Sequence, residues 1–240
     1  MFELIIKRSN LPSYLIMDKR EHQLLIDVKD LTWWYEDSPY LLFDKFNFAL
    51  YSGDFTIIMW KSGCGKSALV KLLLWEKRPP ARSIYHKRED LSRYSDEEIQ
   101  YFRRKIWIIF QDYKLITSLN VKDNITYPLR IYNLWDMVIE DKFKTIIDEL
   151  KIDYLINHPV KYLSWWEKQK VCMARALIHD PEFIIADEPT WNLDREYTQQ
   201  IWDMLININR VWNTVLLITH DVHLLNYIKS KYQVNIFQMC

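Results

Sequence analysis

The sequence predicts an α/β fold with a mainly parallel sheet and a ligand site at the carboxyl edge of its strands, and three observations carry that prediction. Short apolar runs at 55–59, 183–186 and 214–218 have the character of strands buried on both faces. Helical patterns alternate with them. The last two runs end in polar residues, and the first leads into a loop containing Gly63 and Gly65. Strands that alternate with helices and end in polar groups place ligands outside the carboxyl edge of the sheet.

Each element follows from its local pattern. Residues 1–22 are mixed, with a short apolar start from Phe2 to Ile6 and charges from Asp18 to Glu21, and read as an N-terminal extension that can supply an extra strand. Leu24, Leu25, Ile26 and Val28 predict a strand. Residues 68–74 are rich in helix formers and apolar enough for a buried helix. Ser95 and Glu98 have capping-box spacing, which predicts a helix from there to about Arg104. Ile139, Phe143, Ile146, Ile147 and Leu150 recur at helical spacing, and 168–178 is a further helix. The middle of the chain is therefore helical and poor in strands. No internal repeat, low-complexity tract or flexible linker interrupts it.

Composition narrows the partners. The 32 basic and 32 acidic side chains cancel, which speaks against a bulk electrostatic partner such as nucleic acid. No apolar run reaches the roughly 18–20 residues that span a bilayer, and the start lacks a signal-peptide pattern. Attachment to a membrane would need another chain. Cys64, Cys172 and Cys240 have neither disulfide-framework nor zinc spacing, so the cytoplasm is the expected compartment. One feature is abnormal: Gly occurs 3 times and Trp 11 times, whereas about 7% Gly, roughly 17 residues, is usual for this length.

The octapeptide Trp60-Lys61-Ser62-Gly63-Cys64-Gly65-Lys66-Ser67 fits the phosphate-loop pattern G-x-x-x-x-G-K-[ST] at every fixed position but the first. Main-chain N–H groups of such a loop, with the amino end of the next helix, surround a phosphate. Lys66 brings a point charge and Ser67 a Mg²⁺ ligand. A Gly-Lys-Ser turn alone arises by chance; the strand before it and the helix after it point to the phosphate loop. Asp187 and Glu188 end the run at 183–186. One carboxylate can hold Mg²⁺ through water while the next orients or deprotonates an attacking water. Acidic pairs at strand ends are common on surfaces, so this pair draws its meaning from the rest.

The remaining segments fall into a known pattern. Leu163-Ser164-Trp165-Trp166-Glu167-Lys168-Gln169 resembles the LSGGEKQ signature of the ABC ATPase family, and Ala174-Arg175-Ala176-Leu177 its ARAL continuation. Ile109-Phe110-Gln111-Asp112 resembles the family's Q-loop. Asp187-Glu188-Pro189-Thr190-Trp191-Asn192-Leu193-Asp194 is similar to Walker B running into the D-loop, and Ile218-Thr219-His220-Asp221 to the switch-histidine segment. The motifs occur in family order over about 24–223. The resemblance implies a P-loop NTPase of ABC type spanning 23–240: a RecA-like core sheet, an antiparallel β part and an inserted helical subdomain at about 112–180.

It also implies ATP and Mg²⁺ as ligands and assigns roles. Residues 60–68, from Trp60 through Lys66 and Ser67 to Ala68, hold the phosphates. Tyr35 stacks on adenine or simply packs after its strand. Glu188 is the general base, His220 binds the γ-phosphate, and Gln111 contacts Mg²⁺ and the attacking water, with Ser67 and Asp187 as the other metal ligands. Ser164, Trp165, Trp166 and Glu167, with Asp194, serve ATP in a homodimer that sandwiches two nucleotides. An integral membrane subunit then receives the movement at the cytoplasmic face of the membrane. Within the family, residues 102–112, 121–125, Pro128-Leu129 and 209–215 most resemble the FtsE branch, which acts in cell division and cell-wall remodelling with an FtsX-like membrane protein. Lipoprotein-releasing and macrolide-efflux ATPases, which serve permeases, share much of these segments. Division, transport and a nucleotide-dependent scaffold without turnover all stay open at this point.

Trp60, Trp165, Trp166 and Trp191 stand at glycine positions of that pattern, and Trp75, Trp107 and Trp212 fall at further ones. Glycine is needed where backbone approaches phosphate or adopts positive φ, and an indole crowds both. Two explanations compete. UGA codons that mean glycine in the source organism are read here as tryptophan, or the chain is a degenerate, inactive ATPase. Degeneration should also have damaged Lys66, Asp187, Glu188 or His220, and all four are present. Trp202, at an apolar helix position, fits a true tryptophan; Trp33, Trp34 and Trp135 are assigned to neither group.

Overall fold

The computed structural model describes residues 22–35, 40–60, 65–110, 112–190, 194–211, 214–232 and 234–239. The chain runs through strands β1 (Leu24–Trp33), β2 (Phe43–Tyr51) and β3 (Phe55–Trp60) into helix α1 (Lys66–Leu73). A short hairpin, β4 (Ile84–His86) and β5 (Glu89–Asp90), precedes α2 (Asp96–Arg104) and β6 (Ile106–Ile109). Three helices follow: α3 (Val121–Ile131), α4 (Asp136–Leu150) and α5 (Trp165–Leu177). The chain then alternates β7 (Phe183–Asp187), α6 (Arg195–Val211), β8 (Thr214–Thr219), α7 (Val222–Lys231) and β9 (Asn235–Met239).

The strands form two sheets. An antiparallel sheet has the order β2-β1-β4-β5, and a five-stranded parallel sheet the order β6-β7-β8-β3-β9. Side chains of a strand alternate between faces, and both faces of the parallel sheet are buried. Ile58, Ile185 and Leu216 point to one side, where they share a core with Leu69 and Leu72 of α1 and with Ile26 and Val28 of the antiparallel sheet. Ile57, Ile184 and Leu217 point to the other, against α3–α6 through Ile125, Phe143, Val171 and Leu205. The alternation explains why these strands read as continuous apolar runs.

Glu182 ties the two sheets together just before β7. Its carboxylate accepts from Lys87 Nζ at 2.7 Å and Lys105 Nζ at 3.1 Å, and lies 3.5 Å from His86 Nε2. Burial pushes this acid up, but the three hydrogen bonds outweigh it and hold the carboxyl at about 2.

The sequence-based elements appear with shifted ends. The predicted strand at Leu24 extends to Trp33, and α1 begins at Lys66 rather than Ala68. The Ser95–Glu98 capping box is formed in full at the start of α2. A second capping box, Ser164 with Glu167, starts α5 three residues before the predicted 168. Residues 1–21 of the expected extension lie outside the described residues, while His22 stacks on Tyr51 and bonds Asp54 at 2.9 Å. Among the described residues no helix is long and apolar enough to cross a membrane.

Candidate active site

Strand register sets the site. Met59 lies opposite Thr219, and Ile218 opposite Asp187, so the carboxyl ends of β3, β8 and β7 line up. The phosphate loop, Thr219–His220 and Asp187–Glu188 therefore share one edge of the parallel sheet.

Gly65 turns the chain into α1 at φ 88°, in the left-handed region. A Cβ on it would lie 3.3 Å from Leu42 Cβ and 3.4 Å from Phe43 Cζ, so conformation and space both call for glycine. Its carbonyl takes the amides of Ala68 and Leu69, at 2.9 and 3.0 Å, and no side chain caps the helix. The amides of Lys66 and Ser67 have no helix carbonyl ahead of them. Together with the helix dipole they make an anion-receptive end.

Facing that end is a charged cluster. Lys66 Nζ lies 3.4 Å from Asp187 Oδ1 and 3.7 Å from Glu188 Oε1. Glu188 is buried, at a left-handed φ of 46°, with its amide bonded to Ile218 O. Its Oε2 accepts from Thr219 Oγ1 at 3.1 Å; its Oε1 accepts from His220 N at 3.1 Å and meets His220 Nδ1 at 2.5 Å. The His220 ring is half exposed beyond it. Burial raises the Asp187 carboxyl above the usual aspartate range, and the Lys66 ammonium pulls against that rise.

The donors suit Mg²⁺. Asp187 Oδ1 is buried, and among the described residues it has no close hydrogen-bond partner; Lys66 Nζ stands 3.4 Å from it as an ion-pair partner. Ser67 is exposed at the start of α1. Among the described residues no three His, Cys, Asp or Glu converge as a metal cage. A cation here would rest on one carboxylate, one hydroxyl and ligand or water oxygens, the sparse oxygen set that Mg²⁺ accepts.

Other expected site residues are placed less centrally. Tyr35 follows the strand that borders the loop: it packs edge-on against Trp33, which packs on Phe43 beside Gly65. Ala68 is buried in α1. Lys61, Ser62, Gly63, Cys64, Gln111 and Trp191 lie outside the described residues, as does the Trp60 side chain. Ser164, Trp165, Trp166 and Glu167 gather at the start of α5, where Trp165 packs on Tyr113 and Trp166 stacks on Tyr197. Asp194 caps α6 by accepting from Tyr197 N at 3.0 Å. The described contacts of this second group do not reach Lys66 or Glu188 of the same chain.

Two features of the site escape sequence reasoning. Thr219, buried, fixes Glu188 through its hydroxyl. Arg175, buried in α5, donates to Tyr113 O at 2.6 Å and Lys114 O at 2.8 Å, and so clamps the segment following residue 111 to α5. An arginine in the apolar face of the helix at 168–178 was the available signal.

An anion-receptive helix start after a buried strand, a lysine and paired carboxylates at a parallel-sheet edge define a P-loop nucleotide-binding protein. Residues 43–191 match the family model described as ABC transporter, and the chain belongs to that family. It is 36% identical over 180 residues to the cell division ATP-binding protein FtsE of Escherichia coli (strain K12), covering 75% of this chain and 81% of that protein. It is 33% identical over 200 residues to the ABC transporter ATP-binding protein YxdL of Bacillus subtilis (strain 168), covering 82% and 78%. Its fold is similar to that of the ATP-binding cassette MJ0796 in a dimeric post-hydrolysis state bound to ADP and Pi, with a TM-score of 0.74, 25% identity and coverage of 90% of this chain and 94% of that one.

Proposed function

We propose that this chain is the ATP-hydrolysing subunit of an ABC-type membrane complex of the FtsE kind, acting as a homodimer at the cytoplasmic face through an FtsX-like membrane protein. The observation that carries the reading is the convergence of Lys66, Asp187, Glu188 and His220 on the anion-receptive start of α1. ATP phosphates bind there and draw the Lys66 ammonium from its two carboxylates. Ser67 and Asp187, with Gln111, would hold Mg²⁺, which would supply positive charge against the phosphates. Glu188 takes a proton from the attacking water while Thr219 and the His220 amide hold the carboxylate. The water oxygen bonds to the γ-phosphorus, the bond to the β-phosphate oxygen breaks, and ADP and phosphate leave. His220 orients the γ-phosphate. Ser164 to Glu167, whose described contacts do not include Lys66 or Glu188, serve the nucleotide of the second copy.

The likeness to FtsE supports work on cell-wall remodelling through FtsX-like helices, and the likeness to YxdL supports a transport output as the second reading. A neighbouring gene for an FtsX-like protein favours the first, and one for a larger permease the second. The test of hydrolysis uses the chain bearing glycine at 60, 165, 166 and 191, together with its membrane partner. Glu188→Gln should retain ATP binding and lower turnover by about 10²–10⁴-fold, the usual worth of a general base. Absence of turnover in the parent rejects the ATPase reading in favour of a nucleotide-dependent scaffold.

A further inference from the structure

The backbone at residue 75 has the geometry of a glycine. The amide of residue 75 bonds Leu72 O at 3.1 Å, and that of Glu76 bonds Lys71 O at 2.8 Å. Counting from the last helical residue, Leu73, these are the two main-chain bonds of a Schellman helix end, with residue 75 in the left-handed slot at φ 57°. Glycine is the usual occupant of that slot; Lys151 takes a left-handed φ of 52° at the end of α4, but 75 is the helix end where the left-handed residue is a tryptophan. The bonds that fix the turn need no side chain at 75: the Arg103 guanidinium closes it by donating to the main-chain Leu74 O and Trp75 O, each at 2.8 Å. The indole adds a bond from Nε1 to Leu91 O at 2.9 Å, but that carbonyl already accepts from Tyr94 N. The turn can therefore form without any side chain at 75.

Residue 107 is wrong for tryptophan for a different reason. Its indole, in β6, lies 4.7 Å from the His179 ring and 5.8 Å from the Arg175 guanidinium carbon. Four polar atoms around it are buried with no hydrogen-bond partner among the described residues: Trp107 Nε1, both ring nitrogens of His179, and Arg175 Nε. Buried donors and acceptors are almost always satisfied, so four such atoms gathered around one side chain count against it; at Trp202 only its own Nε1 is without a partner among the described residues. Removing the indole at 107 opens room for water to reach His179 and Arg175. Trp202 makes the contrast. It is buried inside helix α6, where glycine would leave a large void in the core and weaken the helix.

We infer that the native chain carries glycine, not tryptophan, at 75 and 107, and that one reassigned codon accounts for these positions together with 60, 165, 166, 191 and 212. The phosphate loop then regains its first glycine, and the start of α5 loses two indoles, one of them exposed. Degeneration of the site does not by itself account for 75 and 107, because neither belongs to the cluster of Lys66, Asp187, Glu188 and His220. The inference does not depend on hydrolysis, so its failure and that of the ATPase reading are separable.

The test is tandem mass spectrometry of the protein purified from its source cells and cut after lysine and arginine. The peptide at 72–77 should read Leu-Leu-Leu-Gly-Glu-Lys, the peptide starting at Ile106 should carry glycine second, and the peptide at 196–210 should keep Trp202. The gene should show one common codon at 75 and 107 and another at 202. Tryptophan at 75 or 107, or glycine at 202, overturns the inference.

Discussion

Two glycine-to-alanine substitutions separate the demands that the phosphate loop makes on Gly65. Gly53 and Gly65 both have left-handed φ, 83° and 88°, but a Cβ on Gly53 meets nothing within 4 Å, whereas one on Gly65 runs into Leu42 and Phe43. A left-handed L-residue costs about 1–2 kcal/mol, and crowding in a packed region adds about 1–3 kcal/mol. Gly53→Ala should therefore cost about 1–2 kcal/mol and Gly65→Ala about 2–5 kcal/mol. The gain from a stiffer unfolded chain is common to both and cancels in the difference. Thermal melts read the contrast at about 2–4 °C per kcal/mol for a domain of this size. Equal losses for the two variants, or a smaller loss for Gly65→Ala, would refute the claim that space beside Leu42 and Phe43, as well as conformation, calls for glycine at 65.

Other expectations follow from the same contacts. Glu182, depressed to about 2 against an ordinary 4.5, contributes stability that is complete above pH 4.5 and is lost as pH falls toward 2, worth about 2–3 kcal/mol. Glu182→Gln should thus lower stability in urea near neutral pH and flatten the acid limb between pH 4.5 and 2; an unchanged acid limb would contradict the assignment. Arg175→Met removes two charge-assisted bonds to Tyr113 O and Lys114 O and should cost about 3–5 kcal/mol, measured by the same melts. A loss of only a few tenths of a kcal/mol would show the clamp to be incidental.

Parts of this architecture were legible for identifiable reasons. The runs at 55–59, 183–186 and 214–218 became β3, β7 and β8 because both sheet faces are covered, which removes polar residues from the strands. β2 was hidden: Asp44, Lys45 and Asn47 interrupt it, and its pairing with β1 carries register shifts. The start of α5 was obscured by Trp165 and Trp166, although Ser164 and Glu167 kept the capping-box spacing that sets it. At the site, Lys66, Asp187 and Glu188 could be named because each opens a helix or follows a buried strand in a fixed pattern, whereas His220 could be named only with the family resemblance beside its strand-end place. The Arg175 clamp joins residues some sixty positions apart, so no local periodicity announces it. Glu182 likewise reads as a solvent-facing acid until the fold brings Lys87 and Lys105 to it.

The central claim, that ATP phosphate binds at the start of α1 and is held by Lys66, is tested most directly by calorimetric titration of Mg²⁺-ATP into the chain bearing glycine at 60, 165, 166 and 191, with and without Lys66→Ala. Loss of a hydrogen bond to a charged group predicts an affinity about 10- to 100-fold weaker for the variant. Equal affinity in the two chains would contradict the account.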